Sequence, residues 1–138
     1  MIRAFRDEDT DAVVSLWEAC GLTRPWNDPR KDIARKLTVQ REWFLVAEDG
    51  GAIVGSVMAG YDGHRGWVNY LAVVPSRRGE GLARALMAEA ERLLREAGCP
   101  KINLQVRGTN EDALGFYERI GYTRDDVVSL GLRLERDD

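Results

Sequence analysis

Between a run of β-branched residues that stops at Pro75 and a segment of helical periodicity, the chain reads Arg77-Arg78-Gly79-Glu80-Gly81-Leu82-Ala83-Arg84. Glycines without a Cβ let a ligand approach the backbone closely, and a helix N-terminus offers unpaired N–H groups together with the positive end of the helix dipole. Arg77, Arg78 and Arg84 add full charge in a fork that suits phosphate oxygens. The chemistry of this stretch is anion binding, with phosphate the natural guest; the alternative is a surface turn carrying solvated arginines. A P-loop would need Gly-Lys-Ser/Thr, which is absent. A dinucleotide turn would need a third glycine where Arg84 stands, and an acid after the next strand, where Leu104-Gln105-Val106 has none. Nucleoside triphosphate hydrolysis and hydride transfer are thereby excluded.

The elements that position this turn follow from periodicity. Leu82, Leu86, Ala90, Leu93 and Ala97 recur at helical spacing after it. Residues 2–5 read as a short strand. Asp7 or Asp9 caps a helix that reaches Cys20 and stops at Gly21, and Asp28 with Pro29 opens a second that runs through Leu37. Apolar runs over 43–48, 52–59 and 67–74, the first two joined by Asp49-Gly50-Gly51, predict an antiparallel meander that ends at the basic turn. Beyond the long helix, residues 101–106 predict a strand parallel to its predecessor, since a helix makes the crossover. Asn110 caps a helix through Ile120, residues 127–134 predict the last strand, and 135–138 form a polar tail. The result is an α+β fold with a mixed sheet, in one domain spanning 1–138.

Two motif blocks carry a resemblance. Arg78-x-x-Gly81-x-Ala83 is similar to the acetyl-CoA pyrophosphate loop of the GNAT superfamily of N-acetyltransferases, and Asn110-x-x-Ala113-x-x-x-Tyr117-x-x-x-Gly121-Tyr122 resembles that superfamily's second block. The order of predicted elements is also the order of the GNAT fold: strand, two helices, three strands, helix, strand, helix and one or two closing strands. Arg24-Pro25-Trp26-Asn27-Asp28-Pro29, the stretch from Gly60 to Gly66 and the run from Gly98 to Ile102 look like those of small bacterial acetyltransferases of the YpeA type.

The resemblance implies acetyl-CoA as cosubstrate, held by Arg78, Gly79, Glu80, Gly81, Leu82, Ala83 and Arg84 at its pyrophosphate and along Leu71, Ala72 and Val73 at its pantetheine arm, beside a strand splayed by a bulge. It implies Tyr117 as the general acid for the leaving thiolate and Asn110 within reach of the cofactor, where the alternatives are a packed aromatic and a plain helix cap. Transfer is expected to go directly to a primary amine, whether a protein lysine, an N-terminus or a small molecule. The other reading is a non-catalytic acyl-CoA-binding module that engages a protein partner. Relatives often carry a glutamate near 69 or 70, where this chain has Asn69 and Tyr70. His64, the one histidine and so the one side chain of the type most used as a general base, is the base candidate, with Asp62 and Glu48 as alternatives through water. Trp26, Asn27, Asp28, Tyr61 and Asp62, from two loops, would form an aromatic and acidic rim for a cationic amine. A homodimer is expected to pair through residues 127–134, an apolar edge.

Composition narrows the classes further. A net charge of −3 over 138 residues and a pI near 5.3 lack the basic face of a nucleic-acid binder. Cys20 and Cys99, without ligating neighbours, predict neither a disulfide framework nor a metal site, and direct transfer requires no metal. No apolar run approaches the ~18 residues of a membrane span, and the first residues show no signal-peptide pattern, so a cytoplasmic location is expected.

Overall fold

A computed structural model describes residues 1–138. The elements are β1 (Ile2–Ala4), α1 (Thr10–Ala19), α2 (Pro29–Lys36), β2 (Phe44–Asp49), β3 (Ala52–Tyr61), β4 (Gly66–Val73), α3 (Leu82–Glu96), β5 (Ile102–Asn103) and α4 (Glu111–Arg119). The strands form one sheet in chain order, antiparallel except where β5 lies parallel to β4 after the α3 crossover.

Both faces of the sheet are covered, because β2 and β3 are apolar on both sides of the pleat. Phe44, Val46 and Met58 pack against Val13, Leu16 and Trp17 of α1 and Ile33 of α2. Leu45, Ala47 and Val57 face the other way, onto Leu86 and Met87 of α3. Trp17, Phe44, Val57 and Leu86 are wholly buried, each such side chain stabilising the fold by roughly 1.5–3 kcal/mol relative to exposure.

The helix ends follow local chemistry. Asp28 accepts from the N–H groups of Arg30 at 2.9 Å and Lys31 at 3.3 Å, with Pro29 in the first turn of α2. Gly21 takes φ +69°, and the Leu22 N–H turns back to the Trp17 carbonyl, which closes the end of α1. Asp9 does not cap α1 with its side chain: its carboxylate is taken by Arg3 at 2.8 Å and the Arg6 N–H at 2.8 Å.

Two expectations fail at the C-terminal side. The strand expected over 101–106 is confined to Ile102–Asn103, and the strand expected over 127–134 does not form. A strand persists only against a ladder partner, and this segment has none. Val128, Leu130, Leu132 and Leu134 are 84–91% exposed, and residues 127–129 line a cavity of about 1040 Å³ together with Ile102 and Asn103, bridged to the β5 side by the Gln105 side chain, which donates to the Ser129 hydroxyl. The tail is held instead by side chains: Arg133 donates to Asn27 at 3.1 Å, and Asp137 accepts from the Asp28 N–H at 2.8 Å and pairs with Arg35 at 2.6 Å.

Candidate active site: an amide-lined turn, a bulge and a splayed strand pair

The turn before α3 is open backbone. Gly79 and Gly81 take φ +85° and +84°, and a Cβ built at either would meet no atom within 4 Å. The N–H groups of Gly79, Glu80, Gly81, Leu82, Ala83 and Arg84 find no acceptor within the protein. Consecutive amides left free at a helix N-terminus form an anion cradle. Arg78 and Arg84 flank it as exposed side chains, Arg78 approaching the Val73 carbonyl at 3.4 Å. Arg77, counted above with the phosphate ligands, is committed elsewhere: it bonds Glu80 at 2.8 Å and Asp49 at 2.9 Å and so braces the turn against the β2–β3 hairpin. Glu80 accordingly contributes its amide, its carboxylate being neutralised by Arg77.

Upstream, β4 is irregular where the resemblance implied. Asn69 pairs with Met58 and Ala72 with Ser56, so Tyr70 and Leu71 together oppose the single residue Val57. This is a bulge, and its first residue, Tyr70, takes φ +54°. A left-handed conformation costs a residue with a Cβ roughly 1–2 kcal/mol, and glycine is its usual occupant. On the other side of β4, pairing with β5 ends at Trp67↔Asn103 although β4 runs on to Val73. The backbone of 68–73 therefore has no β5 partner, and the gap opens toward the amide-lined turn.

Tyr117 is carried to this gap by α4, whose N-cap Asn110 accepts from the Ala113 N–H at 3.1 Å. The Asn110 side-chain oxygen thus serves the cap. The Tyr117 ring packs with Leu71, Leu82 and Ala83 against one apolar cluster, so the structure brings together residues from the strand, the turn and α4. Its hydroxyl makes no hydrogen bond in the protein and yet is not sealed from solvent. Burial pushes its pKa up to about 12.

The base candidates fare differently. Glu48 is held by Arg3 at the edge of the sheet, two strands from β4. Asp62 closes its own turn, accepting from the N–H groups of His64 at 2.8 Å and Arg65 at 2.7 Å, and these bonds hold its carboxyl below the usual range. His64 is exposed at the tip of the same turn, which ends at Gly66. Four residues of strand, roughly 13 Å, separate Gly66 from Tyr70, too far for direct proton transfer at the bulge.

The expected rim divides into two parts. Gln40, just beyond α2, bonds the Tyr61 backbone in both directions, so the turn of Tyr61, Asp62 and His64 lies near the C-terminal end of α2. Trp26, Asn27 and Asp28 lie at its N-terminal end, with Trp26 45% exposed, Asn27 accepting from Arg133 at 3.1 Å and Asp28 used as the cap. Between the two loops stands a group that sequence reasoning missed: Asp32 of α2 accepts from the Tyr70 hydroxyl at 2.6 Å. Burial, and then Asp32, hold the Tyr70 phenol well above its ordinary pKa. An acid in the first turn of a helix reads in sequence as a dipole partner, and nothing local announces its bond to a tyrosine 38 residues on.

An amide cradle, a bulged strand and a splayed parallel pair define an acyl-CoA-dependent acyltransferase fold. A sequence profile of the acetyltransferase (GNAT) family matches residues 5–122. Acetyltransferase ECA0875 of Pectobacterium atrosepticum is 54% identical over 136 residues, covering 99% of this chain and 96% of that protein. Among solved structures, Ard1 from Thermoplasma volcanium is similar at TM-score 0.80 and 27% identity, covering 89% of this chain and 82% of that one. Naa20 of Chaetomium thermophilum, solved in complex with a bisubstrate analogue, is similar at TM-score 0.73 and 25% identity, covering 89% of this chain and 70% of its own. The chain belongs to the GNAT acetyltransferase family and is an acetyl-CoA-dependent acetyltransferase.

Proposed function

We propose that the protein moves the acetyl group of acetyl-CoA directly to a primary amine at the bulge of β4. The row of free amides from Gly79 to Arg84 carries this reading, since it extends the free N–H groups of a helix start through the preceding turn into one anion site. The pyrophosphate is held there with Arg78 and Arg84, the pantetheine lies along Leu71, Ala72 and Val73, and the unpartnered backbone of β4 receives its amides and the thioester oxygen. The amine attacks the thioester carbon, the C–N bond forms, the C–S bond breaks, and Tyr117 protonates the departing thiolate. A phenol near pKa 12 is a weak acid, but the apolar surroundings that raise it raise the thiol as well, which narrows the mismatch. The amine reaches the bulge between the loops bearing Trp26 and Tyr61, and gives up its proton to solvent, since β4 carries no carboxylate.

Assembly belongs to the same proposal. The tail presents Val128, Leu130, Leu132 and Leu134 in alternation, and β5 has an open outer edge, so a second copy of the chain is the complementary occupant of both.

Incubation with acetyl-CoA and a panel of peptide N-termini, lysine peptides, polyamines and aminoglycosides tests the acceptor. Thiol release above the amine-free rate, with an acetylated amine found by mass spectrometry, is expected for at least one class. Cofactor binding without turnover across the panel would overturn the amine assignment.

A further inference from the structure

Tyr70 occupies a backbone conformation in which glycine would be free of strain, and it is held there by contacts on three sides. Its ring stacks on Trp17 with centroids 3.8 Å apart and planes at 14°. Its carbonyl accepts from the Ser56 hydroxyl at 2.9 Å, and the Ser56 oxygen in turn accepts from the Trp17 indole N–H at 2.9 Å. Its hydroxyl donates to Asp32. Trp17 and Ser56 are both 0% exposed, so the indole N–H and the serine hydroxyl depend on each other for satisfaction. The serine proton is directed at the Tyr70 carbonyl because its oxygen is already engaged as an acceptor. Asp32 is fixed by Arg35 at 3.0 Å, and Arg35 by Asp137.

We propose that Asp32, Ser56 and Trp17 are positioning residues that lock Tyr70 in its left-handed backbone and thereby aim the bulge amides at the thioester oxygen of acetyl-CoA. Glycine at position 70 would permit the bulge; this network fixes it. Donors that hold their direction before the ligand arrives polarise a carbonyl without reorganising, which is the property an oxyanion site requires. Removing the Asp32 contact at the rim of this network lets the peptide planes of 70–72 swing. The inference rests on acetyl-CoA lying along β4 as proposed above.

The test needs no acceptor. The carbonyl stretch of acetyl-CoA labelled with ¹³C at the thioester carbon is measured by infrared difference spectroscopy at saturating protein, beside the thermal shift that acetyl-CoA gives each variant over its own unliganded form. The parent is expected to move the band below its frequency in free acetyl-CoA. Tyr70→Val, β-branched and averse to positive φ, returns it to the free value. Tyr70→Gly keeps the displacement but broadens it. Tyr70→Phe and Asp32→Leu weaken it equally, and Asp32→Asn, whose amide oxygen still accepts from the phenol, restores it. Should Tyr70→Val not fold by circular dichroism, the Phe, Leu and Asn variants decide alone. An undisplaced band in a parent that binds acetyl-CoA, a parental band in Tyr70→Val, or unequal effects of Tyr70→Phe and Asp32→Leu would each overturn the lock. Absence of any thermal shift in the parent would instead overturn the cofactor placement itself.

Discussion

Tyr117 and Tyr122 meet edge to face, ring centroids 5.7 Å apart and planes at 67°, and only one of the pair has its hydroxyl bonded: Tyr122 donates to Glu91 of α3 at 2.7 Å. The end of α4 and the turn after it therefore present one tyrosine that ties them to α3 and one whose hydroxyl has no partner in the protein. Tyr117→Phe is expected to fold, bind acetyl-CoA within a few-fold of the parent and lose roughly 10²-fold in kcat, the low end for one general acid. Tyr122→Phe is expected to do the reverse, keeping kcat while losing about 1 kcal/mol of stability. Steady-state kinetics and denaturant melts on the two variants check the contrast; a Tyr117→Phe enzyme with parental kcat would leave the proton to water.

Alkaline stability reports the same burial. With Tyr117 at about 12 in the folded chain against an ordinary value near 10, the folded state retains a proton that the unfolded state releases. Stability is thus present below pH 10 and lost as pH rises toward 12. Calorimetry over that window is expected to show a steeper fall in Tm for the parent than for Tyr117→Phe, and parallel curves would contradict the burial.

At the amide-lined turn, Gly81→Val places a β-branched side chain at φ +84° in the open space left for the ligand. Acetyl-CoA at 100 times Kd stabilises by about 2.7 kcal/mol. This shift is expected to vanish in Gly81→Val and to be weakened in Arg84→Ala. Arg77→Ala, which removes only the brace, should lower Tm without ligand more than it lowers affinity. Differential scanning fluorimetry with and without acetyl-CoA separates these outcomes, and a parental shift in Gly81→Val would sink the cradle.

The C-terminal anchor is acid-sensitive. Arg35 and the Asp28 N–H hold the Asp137 carboxyl down to about 2, so its contribution is present above the unfolded value near 3.9 and is lost as pH falls through 2. Exchange of the Asp28 amide, which donates to Asp137, is expected to accelerate relative to its intrinsic rate between pH 4 and 2 in the parent. In Asp137→Ala it should be fast at both; equal protection in the two proteins would show that Asp137 is not the tether.

For assembly, sedimentation at micromolar concentration is expected to give a dimer mass, and Leu130→Lys combined with Leu132→Lys to give a monomer. A parent that stays monomeric over the whole concentration range removes the second copy from the proposal.

Much of this protein is legible in residue order alone. The meander, the long helix and the turn between them follow from alternation, helical spacing and Gly79 and Gly81, because each signal is local and each backbone group finds its partner nearby. The caps at Asp28 and Asn110 are local in the same sense, and the pairing of the Arg78 to Ala83 block with the Asn110 to Tyr122 block pointed to the family. Tertiary structure decided what depends on distant partners. Arg77 reads as a phosphate ligand until Asp49, brought by a hairpin, claims it. Residues 127–134 have the alternation of a strand, yet alternation specifies a pleat and not a neighbour, and the segment does not pair with the open edge of β5. Tyr70 has no local mark of a left-handed residue; its conformation comes from Trp17, Ser56 and Asp32, spread over two helices and a strand, which only the folded sheet brings to one place.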